Sequence, residues 1–477
     1  MTSGSDTATL IRLEEGSSVI PKLRQDKQLG RNTGIGEHMK PVLQVALDFL
    51  ELKRALELAA EAVRGGAQWL EAGTPLIKSA GLDAIRELRR AFPKHVIVAD
   101  LKTMDAGRIE MEAAAKAGAN IGTVLGTASE STIIECIEVG RHYGMDIHVD
   151  LLNVPDAPGL AQKCEEWGAH HVGIHMPIDD QMRGKTPTEL LRKVRAATRL
   201  PIAVAGGLNS ETVVDALEAG ADILIVGGAI TKAADAEKAT REMLKVIETR
   251  AKVSTSLFKR GSSDEEIRRI LGAVSTPNVS DAMHRSGELP GLPSVNTGLK
   301  AAGPAFTVRT APGDWAKPVR AIQEAAPGDM IVIDAGGITP AVWGELASHS
   351  CLRKGVAGVV IHGAIRDIDE IRKMKFPAWA THITPTAGEP KGFGEMQVAI
   401  RIGGVDIAPG DWIAGDDSGV VRIPRAKAVE IANRAMNVLE AENRLREEIH
   451  KKGTLSEIVE LEKWEKEIGD RTKKKKE

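Results

Sequence analysis

The chain is 477 residues long, more than one core needs, and its 63 Lys and Arg against 66 Asp and Glu leave a net charge of -3; two domains are expected, and neither nucleic-acid nor membrane binding has a global electrostatic ground. Aromatics make up 3% of residues, too few for a single-strand stacking surface. Cys136, Cys164 and Cys351 are widely spaced with no C-x-x-C, no apolar run reaches membrane-span length and no signal-peptide core is visible, which together fit a cytoplasmic protein without a disulfide framework or zinc site.

Residues 1–38 are polar and weakly periodic and read as a flexible arm. From residue 41 an alternation begins. Strands are predicted at Val42–Asp48, Gln68–Ala72, His95–Leu101, Asn120–Leu125, Asp146–Leu152, His171–His175, Pro201–Ala205 and Asp222–Val226. Helices are predicted between them, as at Glu51–Arg64, Leu82–Ala91, Ile109–Ala117, Ser131–Tyr143 and Ser210–Ala219, many closed by a Gly-Ala C-cap. Eight such units over 39–247 predict an α/β fold, a (β/α)8 TIM barrel, rather than its rival, an open doubly wound sheet. Residues 248–263 form a charged linker, and a second α/β domain is expected over 264–440. Its strands are predicted at Gly303–Thr310, Met330–Asp334, Gly358–His362, Val398–Ile402, Trp412–Gly415 and Gly419–Ile423, with helices at Thr339–Lys354 and Asp367–Lys373. A long charged helix is expected over 426–468 with a break at Gly453, so that 441–477 form a C-terminal helix and a basic tail. The Lys473–Lys476 run reads as a solvated tail rather than an RNA-binding patch.

Barrel chemistry sits at the C-terminal strand ends. There the sequence places Asp48, Glu71, Asp100 with Lys102, Asp150, His175, Gly206-Gly207 and Gly227-Gly228. Asp100-x-Lys102-x-x-Asp105 reads either as a surface ion-pair cluster or as a fixed ammonium for an anionic intermediate such as an enediolate. Glu71 and Asp100 are hard oxygen donors on neighbouring strands, suited to Mg2+ or another divalent cation. His175 is placed to shuttle a proton. The glycine pairs are either plain turns or backbone cradles for phosphate.

Residues 41–245 resemble the orotidine-phosphate decarboxylase suprafamily, and within it most of all the 3-hexulose-6-phosphate synthases. The matching pieces are Val45-Ala46-Leu47-Asp48, Leu70-Glu71-Ala72-Gly73-Thr74-Pro75, the D-x-K-x-x-D, Val149-Asp150-Leu151-Leu152, Ile174-His175, Ala205-Gly206-Gly207 and Val226-Gly227-Gly228-Ala229-Ile230-Thr231. The resemblance implies a phosphate-anchored pentulose, Mg2+ on Glu71 and Asp100, and an enediolate stabilised by Lys102. It implies that His175 moves the C1 proton, and that formaldehyde adds reversibly to ribulose 5-phosphate. It also implies a homo-oligomer in which Asp105 reaches the neighbouring subunit's site. The sister reaction, decarboxylation of 3-keto-L-gulonate 6-phosphate, shares Glu71 and the D-x-K-x-x-D. Those enzymes usually carry Arg where Gly228 stands, and orotidine decarboxylases carry Lys where Glu71 stands, so the synthase is expected.

In the second domain, Gly336-Gly337 precedes a helix expected to carry Trp343-Gly344-Glu345-Leu346, and Arg366-Asp367 follows Glu345 after twenty intervening residues. Arg366 fits a bidentate carboxylate clamp and Asp367 a metal ligand with Glu345 acting through water; taken alone, the pair reads more readily as a helix-start ion pair. This spacing, with Val279-Ser280-Asp281-Ala282-Met283, Asp334-Ala335-Gly336-Gly337 and Gly410-Asp411 through Val421, resembles the RraA regulators and the related class II 2-oxo-acid aldolases. The resemblance implies a swivelling-type α/β fold with a site at Glu345, Leu346, Arg366 and Asp367, used either for 2-oxo-acid aldolase or decarboxylase chemistry or for regulation. A non-catalytic protein-binding module is the alternative. The fused arrangement resembles archaeal fusions in which the synthase is thought to run backwards, releasing formaldehyde. Nothing in the chain resembles the sugar isomerase that usually partners such synthases, so a separate isomerase is expected.

Overall fold

The computed structural model describes residues 40–184, 186–255, 257–459 and 461. The arm expected over 1–38 and the Lys473–Lys476 run lie outside the described residues. Eight parallel strands close into a barrel: β1 Val42–Leu47, β2 Trp69–Ala72, β3 Val96–Thr103, β4 Ile121–Leu125, β5 Asp146–Asp150, β6 His171–His175, β7 Ile202–Ala205 and β8 Ile223–Val226, with β8 pairing back to β1. Closure is what an open sheet lacks, and it excludes the doubly wound alternative. Each strand is short and flanked by an amphipathic helix, so its outward residues bury under helices while inward residues fill the bore. Leu43, Val45 and Leu47 of β1, for example, are fully buried against Leu58 and Ala62 of the helix Leu52–Arg64.

The bore carries unusual polarity. His148 and His171 are buried there, with Trp69 edge-on to His171 at 5.7 Å. A Cβ at Gly173 would collide with the His148 ring, so glycine on β6 makes room for that imidazole.

Beyond the helix Ala236–Thr249 the linker leads to helices Asp264–Ala273 and Thr276–Ala282. The second domain is built on strand Ala301–Arg309. Its first half pairs antiparallel with Trp412–Asp416, and its second half pairs parallel with Met330–Asp334. Gly358–Ile365 continues the parallel part, flanked by Ala341–Trp343 and Ala378–Ile383. The expected helix over 339–354 begins only at Glu345. Ala341–Trp343 instead pairs with the strand Gly358–Ile365 and buries Val342 and Trp343, and Pro340 and Gly344 on either side are poor interior helix formers.

One helix, Ala428–Lys452, runs unbroken across residues 440 and 441, where the sequence reading divided the second domain from a C-terminal helix. It ends at Gly453, and a short helix Leu455–Ile458 follows. Among the described residues no helix is long and apolar enough to cross a membrane.

Candidate active site

The C-terminal mouth of the barrel opens into a cleft of about 650 Å³, within the range of small-molecule sites. It gathers Asp48, Glu71, Asp100, Lys102, His175, Gly206, Gly207, Gly227 and Gly228. Asp105 is not among its lining residues: it is exposed past the end of β3 and accepts a hydrogen bond from the Ala106 N–H at 2.7 Å.

The sequence expectation ended β3 at Leu101, but the strand runs to Thr103 with a pairing irregularity between Ala99 and Thr103. Lys102 occupies this irregularity with φ 49°, a left-handed backbone uncommon for a side chain of its size. Simple alternation therefore does not explain how Asp100 and Lys102 meet. They do meet: Lys102 Nζ donates to Asp100 Oδ2 at 2.5 Å and lies 3.9 Å from Asp150 Oδ2. Burial pulls the ammonium's pKa down, but Asp100, Asp150 and Glu71 outweigh it and the net shift is upward. The lysine is a fixed cation.

Glu71 accepts from Gln44 Nε2 at 2.5 Å. Asp100 Oδ2 accepts from Thr74 Oγ1 at 2.7 Å and Oδ1 from Thr123 Oγ1 at 3.0 Å. Burial, then the nearby charges of Asp100 and Asp48, push Glu71 up to about 8; burial and Asp100 likewise raise Asp48. Three crowded carboxylates repelling one another are the oxygen-rich surroundings that a hard divalent cation relieves. Among the described residues no group of three or more His, Cys, Asp or Glu is arranged to hold a metal ion. Glu71 and Asp100 offer two hard oxygen donors, enough only for a cation that keeps much of its shell for water and substrate.

His175 turns Nδ1 toward Asp150 Oδ2 at 3.4 Å. Burial raises the Asp150 carboxyl, but His175, Lys102 and His148 more than offset it, so Asp150 is held ionised. Asp150 therefore orients the ring and leaves Nε2 as its other working nitrogen.

Several lining residues were missed from sequence: Gln44, Thr74, Thr123, His148 and Gln181 from the barrel, Lys232 after β8, and Phe258, Arg260 and Asn437 from beyond it. Polar inward positions on predicted strands could have flagged Gln44, Thr123 and His148. Nothing local marks Arg260 or Asn437, which reach the cleft only through tertiary packing.

In the second domain, Glu345 opens its helix and Arg366-Asp367 follow strand Gly358–Ile365. The Arg366 N–H donates to the Trp343 carbonyl at 3.0 Å, tying the two strand ends together. Asp367 Oδ2 lies 3.3 Å from Arg366 Nε and accepts from the Glu345 N–H at 3.4 Å. A Cβ at Gly344 would stand 2.5 Å from Asp367 Oδ2, so glycine permits this approach. The structure thus gathers Glu345, Arg366 and Asp367, while Leu346 is 75% exposed. Beside them, His362 Nδ1 and Asp334 Oδ1 lie 2.9 Å apart, a pair that sequence reasoning did not single out.

Residues 41–243 match the family model of the orotidine 5'-phosphate decarboxylase / HUMPS family, and residues 276–422 match that of the Aldolase/RraA family. The 3-hexulose-6-phosphate synthase of Mycobacterium gastri is 38% identical over 201 residues, 42% of this chain and 97% of that protein. The chain belongs to the 3-hexulose-6-phosphate synthase family. The synthase of Methylomonas aminofaciens is 41% identical over 201 residues, 42% of this chain and 96% of that protein. The crystal structure of the synthase from Salmonella typhimurium is 36% identical and covers 44% of this chain and 100% of its own, with a TM-score of 0.43. The barrel is accordingly an enzyme of the aldolase type, a lyase, fused to an RraA-like domain.

Proposed function

We propose that the barrel interconverts 3-hexulose 6-phosphate with ribulose 5-phosphate and formaldehyde through a 1,2-enediolate. The observation that carries this reading is Lys102, a permanently charged ammonium held by Asp100 and Asp150 at the base of the cleft. In the synthetic direction His175 removes the C1 proton of ribulose 5-phosphate, and the electron pair moves onto the C2 carbonyl oxygen. Lys102 faces the negative charge so formed. C1 of the enediolate then bonds to the formaldehyde carbon, and the former formaldehyde oxygen takes up a proton. Asp48, whose carboxyl is biased toward its protonated form, hydrogen-bonds a sugar hydroxyl. Gly206, Gly207, Gly227 and Gly228 let the backbone approach the phosphate.

Glu71 and Asp100 are the residues that would hold Mg2+, whose chemistry is Lewis-acid polarisation of the ketose oxygens. Asp105 serves the neighbouring subunit of a homo-oligomer, which accounts for its place outside its own cleft. The three cysteines are free and buried, in keeping with a cytoplasmic, reducing setting. A separate isomerase would carry the 3-ketose onward.

The test is incubation of the full chain with ribulose 5-phosphate, formaldehyde and Mg2+, following formaldehyde. Formaldehyde loss that needs the metal and falls ~10²–10³-fold in Lys102→Ala is expected, the scale of removing one oxyanion donor. CO2 release from 3-keto-L-gulonate 6-phosphate with no formaldehyde consumed would overturn the reading in favour of the sister decarboxylase.

For the second domain, the convergence of Glu345, Arg366 and Asp367 supports a metal-dependent 2-oxo-acid aldolase or decarboxylase, with Arg366 on the substrate carboxylate and Asp367 on the cation.

A further inference from the structure

The cleft of the barrel is not built by the barrel alone. Its lining includes Phe258 and Arg260 from the linker and Asn437 from the helix Ala428–Lys452. Lys232 lines the same cleft close to Gly228, where a Cβ would stand 3.9 Å from Nζ. Lys232 Nζ donates to Asn437 Oδ1, and among the described residues the ammonium has no carboxylate within ion-pair distance. Arg260 donates from both terminal nitrogens to Glu440, at 3.0 Å each, and is 18% exposed, with Glu440 fully buried. Glu440 also accepts the Phe258 N–H at 2.6 Å.

The helix is fixed in this position by further buried polar contacts. Asn433 accepts from the Gly261 N–H at 2.8 Å and donates to the carbonyls of Gly261 at 2.9 Å and Met182 at 2.8 Å. Lys232 and Arg260 are therefore held by side chains one turn apart on a helix the second domain supplies. Burial lowers the pKa of Lys232, with Arg260 adding to it and the charges of Glu440 and Asp48 offsetting it only in part, a cost that an anion in the cleft would relieve.

We propose that Lys232 and Arg260, positioned by Asn437 and Glu440, bind the phosphate of the sugar substrate. The fused C-terminal helix would then complete the barrel's substrate site. Arg260 keeps nitrogens for a second acceptor beyond the two it gives Glu440, and Lys232 has three donors of which Asn437 takes one. The proposal rests on the phosphosugar reading above but extends it to residues outside the barrel.

The test uses the full chain and the variants Lys232→Gln, Arg260→Gln and Asn437→Ala, with Arg446→Ala as control. Arg446 lies on the same helix, half exposed, and pairs with Glu442 and Asn443. Two readouts are taken: KM and kcat for ribulose 5-phosphate, and binding of inorganic phosphate by calorimetry. Lys232→Gln and Arg260→Gln should raise KM ~10-fold or more with kcat changed much less, the pattern of lost ground-state binding, and should weaken phosphate binding in parallel. Asn437→Ala should give a smaller change of the same kind, and Arg446→Ala none. Unchanged KM and phosphate affinity in folded Lys232→Gln and Arg260→Gln would overturn the proposal. If the wild-type chain binds phosphate through these residues yet does not turn over ribulose 5-phosphate and formaldehyde, the phosphate site stands and the proposed reaction falls.

Discussion

At the scale of single residues, this barrel spends its interior on groups that dislike charge. His148 and His171 are both held neutral, His148 below its usual value and His171 down to about 3, each mainly by burial. The unfolded chain protonates such a ring near ~6.5. The stability that depends on neutral His171 is therefore complete above about pH 6.5 and is lost as pH falls toward the folded value, with a slope of at most ~1.4 kcal/mol per pH unit. Urea unfolding midpoints measured from pH 7 to pH 4 should fall more steeply for the wild type than for His171→Phe. Equal slopes would show that this ring does not drive acid lability. The same physics works in reverse at Lys102, where three acids surround one base and burial fails to neutralise it. The D-x-K pattern was legible in the sequence because it juxtaposes charges locally. The left-handed backbone that lets Lys102 reach Asp100 was not, because nothing in a strand pattern announces a pairing irregularity.

At the scale of elements, the helix Ala428–Lys452 carries the most buried charge for its composition. Its sequence reads as a long charged helix, an element that often packs on a neighbouring domain or subunit. In the fold one side packs Ala428, Ile431, Ala432, Ala435 and Met436 onto the helices Asp264–Ala273 and Thr276–Ala282. Another side, spaced at three or four residues, turns Asn433, Asn437, Glu440, Arg444 and Glu448 onto the barrel side. Arg444 is 5% exposed, donates bidentately to Glu61 at 2.9 Å and bonds Glu448 at 2.9 Å. Removing one partner of such a buried network costs about 3–5 kcal/mol, because the remaining charges stay buried. Arg444→Ala should therefore lower the urea midpoint of the full chain clearly. A cost indistinguishable from that of an exposed pair, about 0–1 kcal/mol, would show that the acids relax into water instead. Periodicity could not separate this polar stripe from a solvated face, since both alternate at helical spacing.

At the scale of the whole molecule, the barrel cleft and the Glu345–Arg366–Asp367 cluster share one chain and one connecting helix. The barrel cleft is deep and built of buried groups, whereas Arg366 and Asp367 are 42% and 35% exposed in a single chain. If the second domain is an enzyme, the full chain should decarboxylate oxaloacetate with Mg2+, and Arg366→Ala should abolish most of that turnover. Metal-independent turnover, or turnover indifferent to Arg366→Ala, would leave the domain as a binding or regulatory module. The two families divide the chain cleanly at 41–243 and 276–422, but the side chains that cross between them do not respect that division.

The eight-fold alternation, the polar residues at the strand ends, the glycine-marked loops and the pairing of two families in one chain are all legible along the chain. All are local patterns: period, caps, and charges a few residues apart. Closure of the alternation into a barrel, the strand at Ala341–Trp343 in place of helix, and the presence of Arg260 and Asn437 in the barrel's cleft emerge only in the folded molecule. Those outcomes depend on which distant surfaces bury against each other, and neither residue type nor spacing encodes that when the contacts span more than two hundred residues of chain, as they do between Lys232 and Asn437.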